Sequence, residues 1–431
     1  MLKSKEIVIN GKDCTKFSSS DSEKDFLRYY CENFRQPAIF KLSSFYNKLA
    51  EPIIYFNYED KEWWSGRYIG NVNFTIDNKD VAIKIAPRFG NEILLKMFSE
   101  LFNISFVNSL TSVNYSDNSY YLKILIAFIW LQKLANCNRH GLPKIKTVKR
   151  HCSFSIKGKL LAAQSIIIHQ TVGKVISENR EKAFDNLIIK ILYHAYCILK
   201  NDYKLGELQI PKNAQDSINS IDENISDFSA FTQYEYDSIK YHPIYQNYKD
   251  VVDFSWLIIK AKYGLNEDKN DLKINGFFLD MAEIWECYIR NMLIKTFLPY
   301  GWQLCRSEYE VYENSFFKRN IIPDIVLKKD NNYIVFDAKY KEMKYRKEDL
   351  DRNDFFQIHT YISYLQTKGN VVLGGLLYPV TAQTENNVTT QTFFRLWEGG
   401  NTFFMVDGPV VNANCIEMSQ IDSIIKKIIN M

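Results

Sequence analysis

Two acids and a lysine stand in a stretch that is otherwise strongly apolar. Asp324 follows Pro323 in a β-type run, Ile321 to Leu327, while Asp337 and Lys339 lie in a second run, Tyr333 to Tyr340. Between the runs, Lys328-Lys329-Asp330-Asn331-Asn332 has the polar, turn-forming character of a hairpin loop. A turn centred between Asp330 and Asn331 places opposite one another residues whose numbers share one sum, so Asp324 faces Asp337. Opposed β carbons lie roughly 4.5 to 5.5 Å apart, near enough for two carboxylates to share a cation. Alternation along a strand turns Lys339 to the same face as Asp337.

Strands as apolar as these are buried on both faces, where an unpaired charge is costly. A hard cation such as Mg²⁺ would relieve that cost, because it takes carboxylate oxygens and keeps waters for chemistry. Lys339 would then place a point charge beside a reacting phosphate or orient the attacking water. The same residues also fit an ordinary hairpin in which Asp337 and Lys339 form a same-face ion pair.

Elements on either side must position this group. Met281, Ile284, Trp285, Tyr288, Ile289, Met292 and Leu293 repeat at helical spacing. Glu286 sits at the edge of that stripe and Glu283 roughly opposite it. Packed on the hairpin, this helix would make Glu286 a third carboxylate, although boundary glutamates are commonly solvated. Glu342 to Asp354 reads as a loop, and a helix from Asp354 sets Gln357 and Tyr361 on one face. Val371 to Leu377 and Thr392 to Trp397 read as strands, and Ile416 to Ile429 as a closing helix. The expected fold class is α/β, with a compact mixed sheet flanked by helices over 270–431.

Upstream, the pattern predicts a β-rich region over 1–115 and a mainly helical one over 116–265. Val72 to Ile76 and Val81 to Ala86 flank the turn Asp77-Asn78-Lys79-Asp80, and an amphipathic helix runs from Asn91 to Phe102. A polar helix is expected near Ser20 to Asn33, with strong helices over Tyr120 to Asn136 and Ala183 to Asn201. Cys152 to His169 reads as a β-like connection with a turn at Gly158. Arg139, His140, Lys144, Lys146, Lys149, Arg150 and His151 form a basic cluster, read as a solvated loop with phosphate contact as the alternative. Asp202 to Asp253 reads as loops.

The 431 residues allow two or three domains. Lys and Arg number 54 against 50 Asp and Glu, a net charge of +4 that decides neither for nor against nucleic acid. Eight cysteines without a Cys-x-x-Cys pair, and no apolar leader or spanning segment, lead to the expectation of a reduced, cytoplasmic protein with no membrane partner. The chain carries no Gly-x-x-x-x-Gly-Lys-Ser/Thr loop, so nucleotide-driven work would need a partner.

Pro323-Asp324, Phe336-Asp337-Ala338-Lys339, a helical Glu286 and Gln357-x-x-x-Tyr361 together resemble the PD-(D/E)xK nuclease superfamily. More narrowly the chain resembles the McrC family, nuclease subunits of McrBC-type modification-dependent restriction systems. Asp280-Met281-Ala282-Glu283-Ile284-Trp285-Glu286 is similar to that family's DMNELFE helix start, with Ala282 and Ile284-Trp285 in place of its Asn and Leu-Phe. Asp354 to Tyr361 is similar to its DxYQxxAY helix, and Gly70 to Pro87, Ile156 to Lys159 and Asp185-Asn186 resemble stretches of its N-terminal half.

That resemblance implies a Mg²⁺-dependent endonuclease acting on double-stranded DNA. Asp324 and Asp337 would hold the metal, Lys339 would assist the water, and Glu286 and Gln357 would complete the site. It further implies that the N-terminal half docks on an AAA+ GTPase ring, McrB-like, which binds the GTP. On this reading a fragment ending near residue 265 should bind the ring and one beginning near residue 270 should not. The alternatives are a self-sufficient nuclease of repair or transposition, and a non-catalytic protein that stimulates an NTPase.

Overall fold

The computed structural model describes residues 6–34, 38–42, 51–102, 118–138, 141–183, 186–208, 210, 212–224, 231–263, 275–305, 308–312, 316, 319–341, 350–381, 393–396, 400–412, 416–417 and 428. The chain is mixed α/β and divides into two compact units, one formed by 1–35, 45–118 and 278–431, the other by 36–44 and 119–277. The first and last of the three expected regions therefore share a unit.

In the first unit, strands Tyr68–Ile76 and Lys79–Ala86 form an antiparallel hairpin, and Ile7–Lys12 adds in parallel to the outer side of the second. Asp77 and Asn78, both left-handed at φ 49° and 59°, make the two-residue turn, a conformation that Asp and Asn tolerate better than most side chains. Asp21–Asn33 is a helix as expected, its start closed by a capping box in which Ser20 and Glu23 exchange bonds. Helix Asn91–Phe102 buries Ile93, Leu94, Met97 and Phe98, the stripe that its sequence spaces at three and four residues.

The sheet that carries the acids has six strands, in the order Gln303–Leu304, Ile325–Lys329, Asn332–Ala338, Asn370–Leu377, Phe403–Asp407 and Phe393–Arg395. The hairpin register is Ile325 opposite Phe336 through Lys329 opposite Asn332, the constant-sum pairing that sets Asp324 across from Asp337. Asp330 occupies the turn at φ 53°. The expected run from Ile321 to Leu327 is broken, however. Asn320–Ile321 pairs with Tyr309–Glu310, and Pro323, which has no N–H for a ladder, ends that pairing before Asp324.

Asn370–Leu377 lies parallel to Asn332–Ala338, and Phe403–Asp407 parallel to Asn370–Leu377. The strand Phe403–Asp407 was not expected; it separates Phe393–Arg395 from the sheet centre. Helix Arg352–Gln366 packs over the parallel strands and buries Ile358, Ile362 and Leu365. Gly374 lets it approach, because a Cβ there would strike Ile362. Helix Met281–Phe297 packs against Asn332–Ala338, Tyr68–Ile76 and Asn91–Phe102. The expected loop Glu342 to Asp354 falls mostly outside the described residues, as does the closing helix, of which Ile416–Glu417 is instead a short strand.

The second unit contains helices Asn118–Cys137, Leu187–Asp202 and Lys249–Tyr263, built on buried faces such as Leu125, Trp130, Ile189, Leu192, Val252 and Ile259. Asn186 caps the second of these by accepting from Ile189 N, so the helix starts after the expected Ala183; Asp185 lies outside the described residues. Ile145–Ser153, which takes in much of the expected basic loop, is a strand paired antiparallel with Val175–Ala183. Ala162–Val172 is a helix within the expected β-like connection, and Lys212–Asn224 is a helix within the expected loops.

Lys146, Lys149, Arg150 and His151 of the basic cluster are thereby placed on a strand. Arg150 and Lys149 face Glu178 and Glu181 at 3.9 Å, and His151 Nε2 lies 2.9 Å from Asn179 Oδ1. Cross-strand acids thus offset much of the charge that a loop would have offered to phosphate. Arg139 and His140 lie outside the described residues. Among the described residues no helix is long and apolar enough to cross a membrane.

Candidate functional site

Asp324 ends the irregular segment after Pro323 and is 3% exposed; Asp337, one residue before the end of its strand, is fully buried. Because the two are opposed, the Asp324 side chain reaches the far strand, and its Oδ2 accepts from Ala338 N at 2.9 Å. The Asp324 carbonyl accepts from Arg290 Nε at 3.0 Å and Nη2 at 2.7 Å. Nη2 of the same guanidinium donates to Glu286 Oε1 at 2.8 Å, so the helix Met281–Phe297 is tied to the site through Glu286 and Arg290 together. Arg290 had a signal in the sequence, the Glu-to-Arg spacing of four along a helix.

Lys339 Nζ lies 2.6 Å from Asp337 Oδ2 and donates to Gln357 Oε1 at 2.7 Å, with Asp354 Oδ1 at 3.4 Å. Burial pulls this ammonium toward neutrality, but the charge and hydrogen bond of Asp337, followed by Asp354 and Asp324, outweigh it and raise the Lys339 pKa. Gln357 Nε2 donates to Tyr361 Oη at 2.6 Å, and Tyr361 donates to the Ile322 carbonyl at 3.2 Å, next to Pro323-Asp324. The one-turn spacing of Gln357 and Tyr361 thus fixes the amide that faces Lys339.

Asp354 is a further member. It is 5% exposed, its Oδ2 accepts from Tyr378 Oη at 2.8 Å, and Lys341 Nζ lies 2.7 Å away. Burial and then the Asp354 charge push the Tyr378 hydroxyl far above the usual tyrosine range, so it stays a donor. Asp354 stood at the head of the motif helix without a role of its own, and Tyr378 had no signal in the sequence beyond its place after a strand.

Glu283 does not project away from the interface. It is 1% exposed, because the helix is covered on more than one side by Tyr68–Ile76, Asn91–Phe102 and Asn332–Ala338, and a single-stripe projection assumes one buried face. Both glutamates are therefore inside.

Asp324 and Asp337 offer hard oxygen donors on adjoining strands. Among the described residues no three His, Cys, Asp or Glu side chains gather into a ready ligand cluster. That donor set fits a cation that keeps most of its water and is held by one or two carboxylates, as Mg²⁺ is, and not one needing a closed protein cage.

The profile of the family described as "McrBC 5-methylcytosine restriction system component" matches residues 65–379, most of the chain, a span within which the five expected site residues fall. The chain belongs to this McrBC family. A solved chain from the "Refined half-complex from tetradecameric assembly of Thermococcus gammatolerans McrB AAA+ hexamers with bound McrC" is 15% identical, covers 99% of each chain and has a TM-score of 0.49. A second, from the "Cryo-EM structure of the Thermococcus gammatolerans McrBC complex", is 14% identical, covers 68% of this chain and 88% of its own, and has a TM-score of 0.34. No curated protein matches. The McrBC match spans both compact units, so it takes in the Tyr68–Ala86 hairpin together with the acidic sheet.

Proposed function

We propose that this chain is the nuclease subunit of a McrBC-type restriction system, a Mg²⁺-dependent endonuclease that cuts double-stranded DNA under the control of an AAA+ GTPase ring. The observation that carries the reading is the meeting of Asp324, Asp337, Lys339 and Gln357 at one end of the central strands. A simple same-face ion pair would not need Gln357, Tyr361 and Asp354 arranged around the lysine as well. Membership in a restriction-system family supports DNA as the substrate, and the resemblance to nuclease subunits supports the partner.

Asp324 and Asp337 would hold the ion, with Glu286 behind them; a bound Mg²⁺ supplies Lewis-acid stabilisation of the scissile phosphate and a more acidic water. Lys339, held cationic by its carboxylate neighbours, stabilises the charge that grows on the phosphoryl oxygens as a water, giving its proton to solvent, adds to phosphorus and the bond to the leaving deoxyribose oxygen breaks. Gln357 gives the ammonium a second restraint beside Asp337, and Tyr361 fixes which amide atom faces it. Arg290 holds the Asp324 backbone so that its carboxylate stays aimed across the hairpin. Recognition and energy coupling come from the ring, consistent with the absence of a nucleotide-binding loop from this sequence.

The test is cleavage of methylated plasmid by the full chain mixed with its GTPase, GTP and Mg²⁺. Asp337→Ala should abolish cutting while leaving stimulation of GTP hydrolysis intact. Cutting by Asp337→Ala at the parent rate would reject the site, and efficient cutting by the chain alone would transfer the reading to a self-sufficient nuclease.

A further inference from the structure

Lys339 is the last catalytic residue before the chain leaves the sheet, and the next residue is anchored by a segment more than 200 positions earlier. Tyr340 is 6% exposed. The Arg88 guanidinium lies 4.4 Å from its ring centroid and 4.7 Å from that of Phe89, which meets Tyr340 edge-on. Asp13 is fully buried beside them; its Oδ1 accepts from Arg88 N at 2.5 Å, and it adjoins the Tyr340 hydroxyl. Trp285, on the helix that carries Glu286, meets the ring at a tilt, with 6.2 Å between centroids. All of these residues belong to the first unit.

We infer that Arg88, held by Asp13, is a positioning residue for Lys339, acting through Tyr340; this rests on the nuclease reading above. The physical reason is local. Lys339 N still donates to the Leu377 carbonyl at 2.9 Å, the last backbone bond of the ladder, and its ammonium must meet Asp337 and Gln357 at once. Two bonds from a long, flexible stem do not fix a strand end. A flat aromatic ring covered by a guanidinium and packed against Phe89 and Trp285 does, because it removes the freedom of the backbone one peptide away. Arg suits the task better than Lys, since only the planar guanidinium covers a ring face. The clamp also gives the buried Asp13 a role: by accepting from the Arg88 backbone N–H it holds in place the residue whose guanidinium covers the ring.

The experiment uses the full chain with its GTPase partner, GTP, Mg²⁺ and methylated plasmid, with kcat and KM for DNA measured separately. Tyr340→Leu, which fills the space without a π face, should lower kcat about tenfold to 100-fold, the range expected when a catalytic group drifts by up to an ångström. KM for DNA and stimulation of GTP hydrolysis should hold. Tyr340→Phe, which keeps the ring under Arg88, should restore most of the rate. Arg88→Lys keeps the charge beside Asp13 but not the flat face; it should behave as the leucine variant does and guards against that variant failing to fold. Equal loss in Tyr340→Phe and Tyr340→Leu, full activity in Arg88→Lys, or a rise in KM matching the fall in kcat would overturn the inference. If Asp337→Ala also cuts normally, it is the nuclease reading that has failed; if Asp337→Ala is dead and Tyr340→Leu is fully active, only the clamp has.

Discussion

Asp280 offers a stability prediction whose size follows from its contacts. It is 2% exposed and caps the helix Met281–Phe297, its Oδ1 accepting from Ala282 N at 3.0 Å and Glu283 N at 3.4 Å. Its carboxylate also pairs with Arg67 Nε at 3.1 Å, and Arg67 in turn reaches Glu51 at 2.7 Å. Replacing Asp280 by Ala removes the cap, at a cost of about 1 kcal/mol. It also leaves a nearly buried guanidinium short of one partner. Breaking such a pair costs about 3–5 kcal/mol when nothing else remains. Arg67 keeps Glu51, which is more than half exposed, so the cost falls below that range, to about 2 kcal/mol, and with the cap the total is about 3 kcal/mol. For a unit of this size that corresponds to a melting point lower by about 6–12 °C. Asp280→Asn keeps a capping oxygen and should recover roughly the 1 kcal/mol assigned to the cap. Removing both partners, with Asp280→Asn and Arg67→Met, should cost less than the sum of the single changes, because no charge is then stranded. Scanning calorimetry measures all four. An Ala variant melting within about 2 °C of the parent, below the smallest shift expected from 1 kcal/mol, would refute the reasoning.

Other expectations can be checked alongside. A Cβ at Gly408 would fall on the Tyr378 carbonyl oxygen, so Gly408→Ala should fail to fold or melt well below the parent, and a melt unchanged by the substitution would show that the turn can shift. Glu286→Gln should weaken the tie through Arg290 to the Asp324 carbonyl and lower the cleavage rate with little change in melting; an equal fall in melting would make it structural. Asp351 caps the helix that carries Gln357. Burial pulls its pKa up, but the Asn353 N–H, the Lys341 charge and the Asp354 N–H outweigh this and lower it below the ordinary 3.8. A depressed folded pKa contributes stability above the unfolded value and loses it as pH falls through the folded one. Acid unfolding of Asp351→Asn should therefore be less steep below pH 3.8, and an unchanged acid limb would contradict the assignment.

Much of the site was legible because a hairpin with a two-residue turn carries its register in its numbering. Asp330 and Asn331 supply the turn, and the opposition of Asp324 and Asp337 follows without any long-range information. The same holds for Gln357 and Tyr361, four apart on one helix. Glu283 was misplaced because a stripe drawn from one helix cannot register that a second and third element cover its back. Ile145–Ser153 and Val175–Ala183 escaped because a small sheet with solvent-facing Lys149, Arg150 and Glu181 has no buried face to impose alternation. Ala162–Val172 escaped for the opposite reason. Ile166, Ile167 and Ile168 are consecutive, so no helical stripe appears, and Ile166 and Ile167 are exposed in the structure.

The contacts within the first unit also change how labour between the two ends of the chain can be tested. A cut near residue 270 parts Arg67 from Asp280, Arg88 from Tyr340, and the Glu100 carbonyl from Asn291 Nδ2, which donates to it at 2.9 Å. It also exposes the face of Met281–Phe297 that packs on Asn91–Phe102. A fragment beginning there loses a buried ion pair's partner, the clamp beside Lys339 and one wall of its core. Failure of such a fragment to bind a GTPase ring, or to cut DNA, would follow from misfolding as readily as from the absence of a docking surface. Point changes that leave the unit whole separate the two. Asp337→Ala should remove cutting and keep ring stimulation, whereas exposed substitutions on the Tyr68–Ala86 hairpin, such as Lys79→Glu, should lower ring stimulation if that hairpin docks, with the melting point as the control. A variant pair that lost both activities together, at unchanged melting, would show that docking and cutting are not separable in this chain.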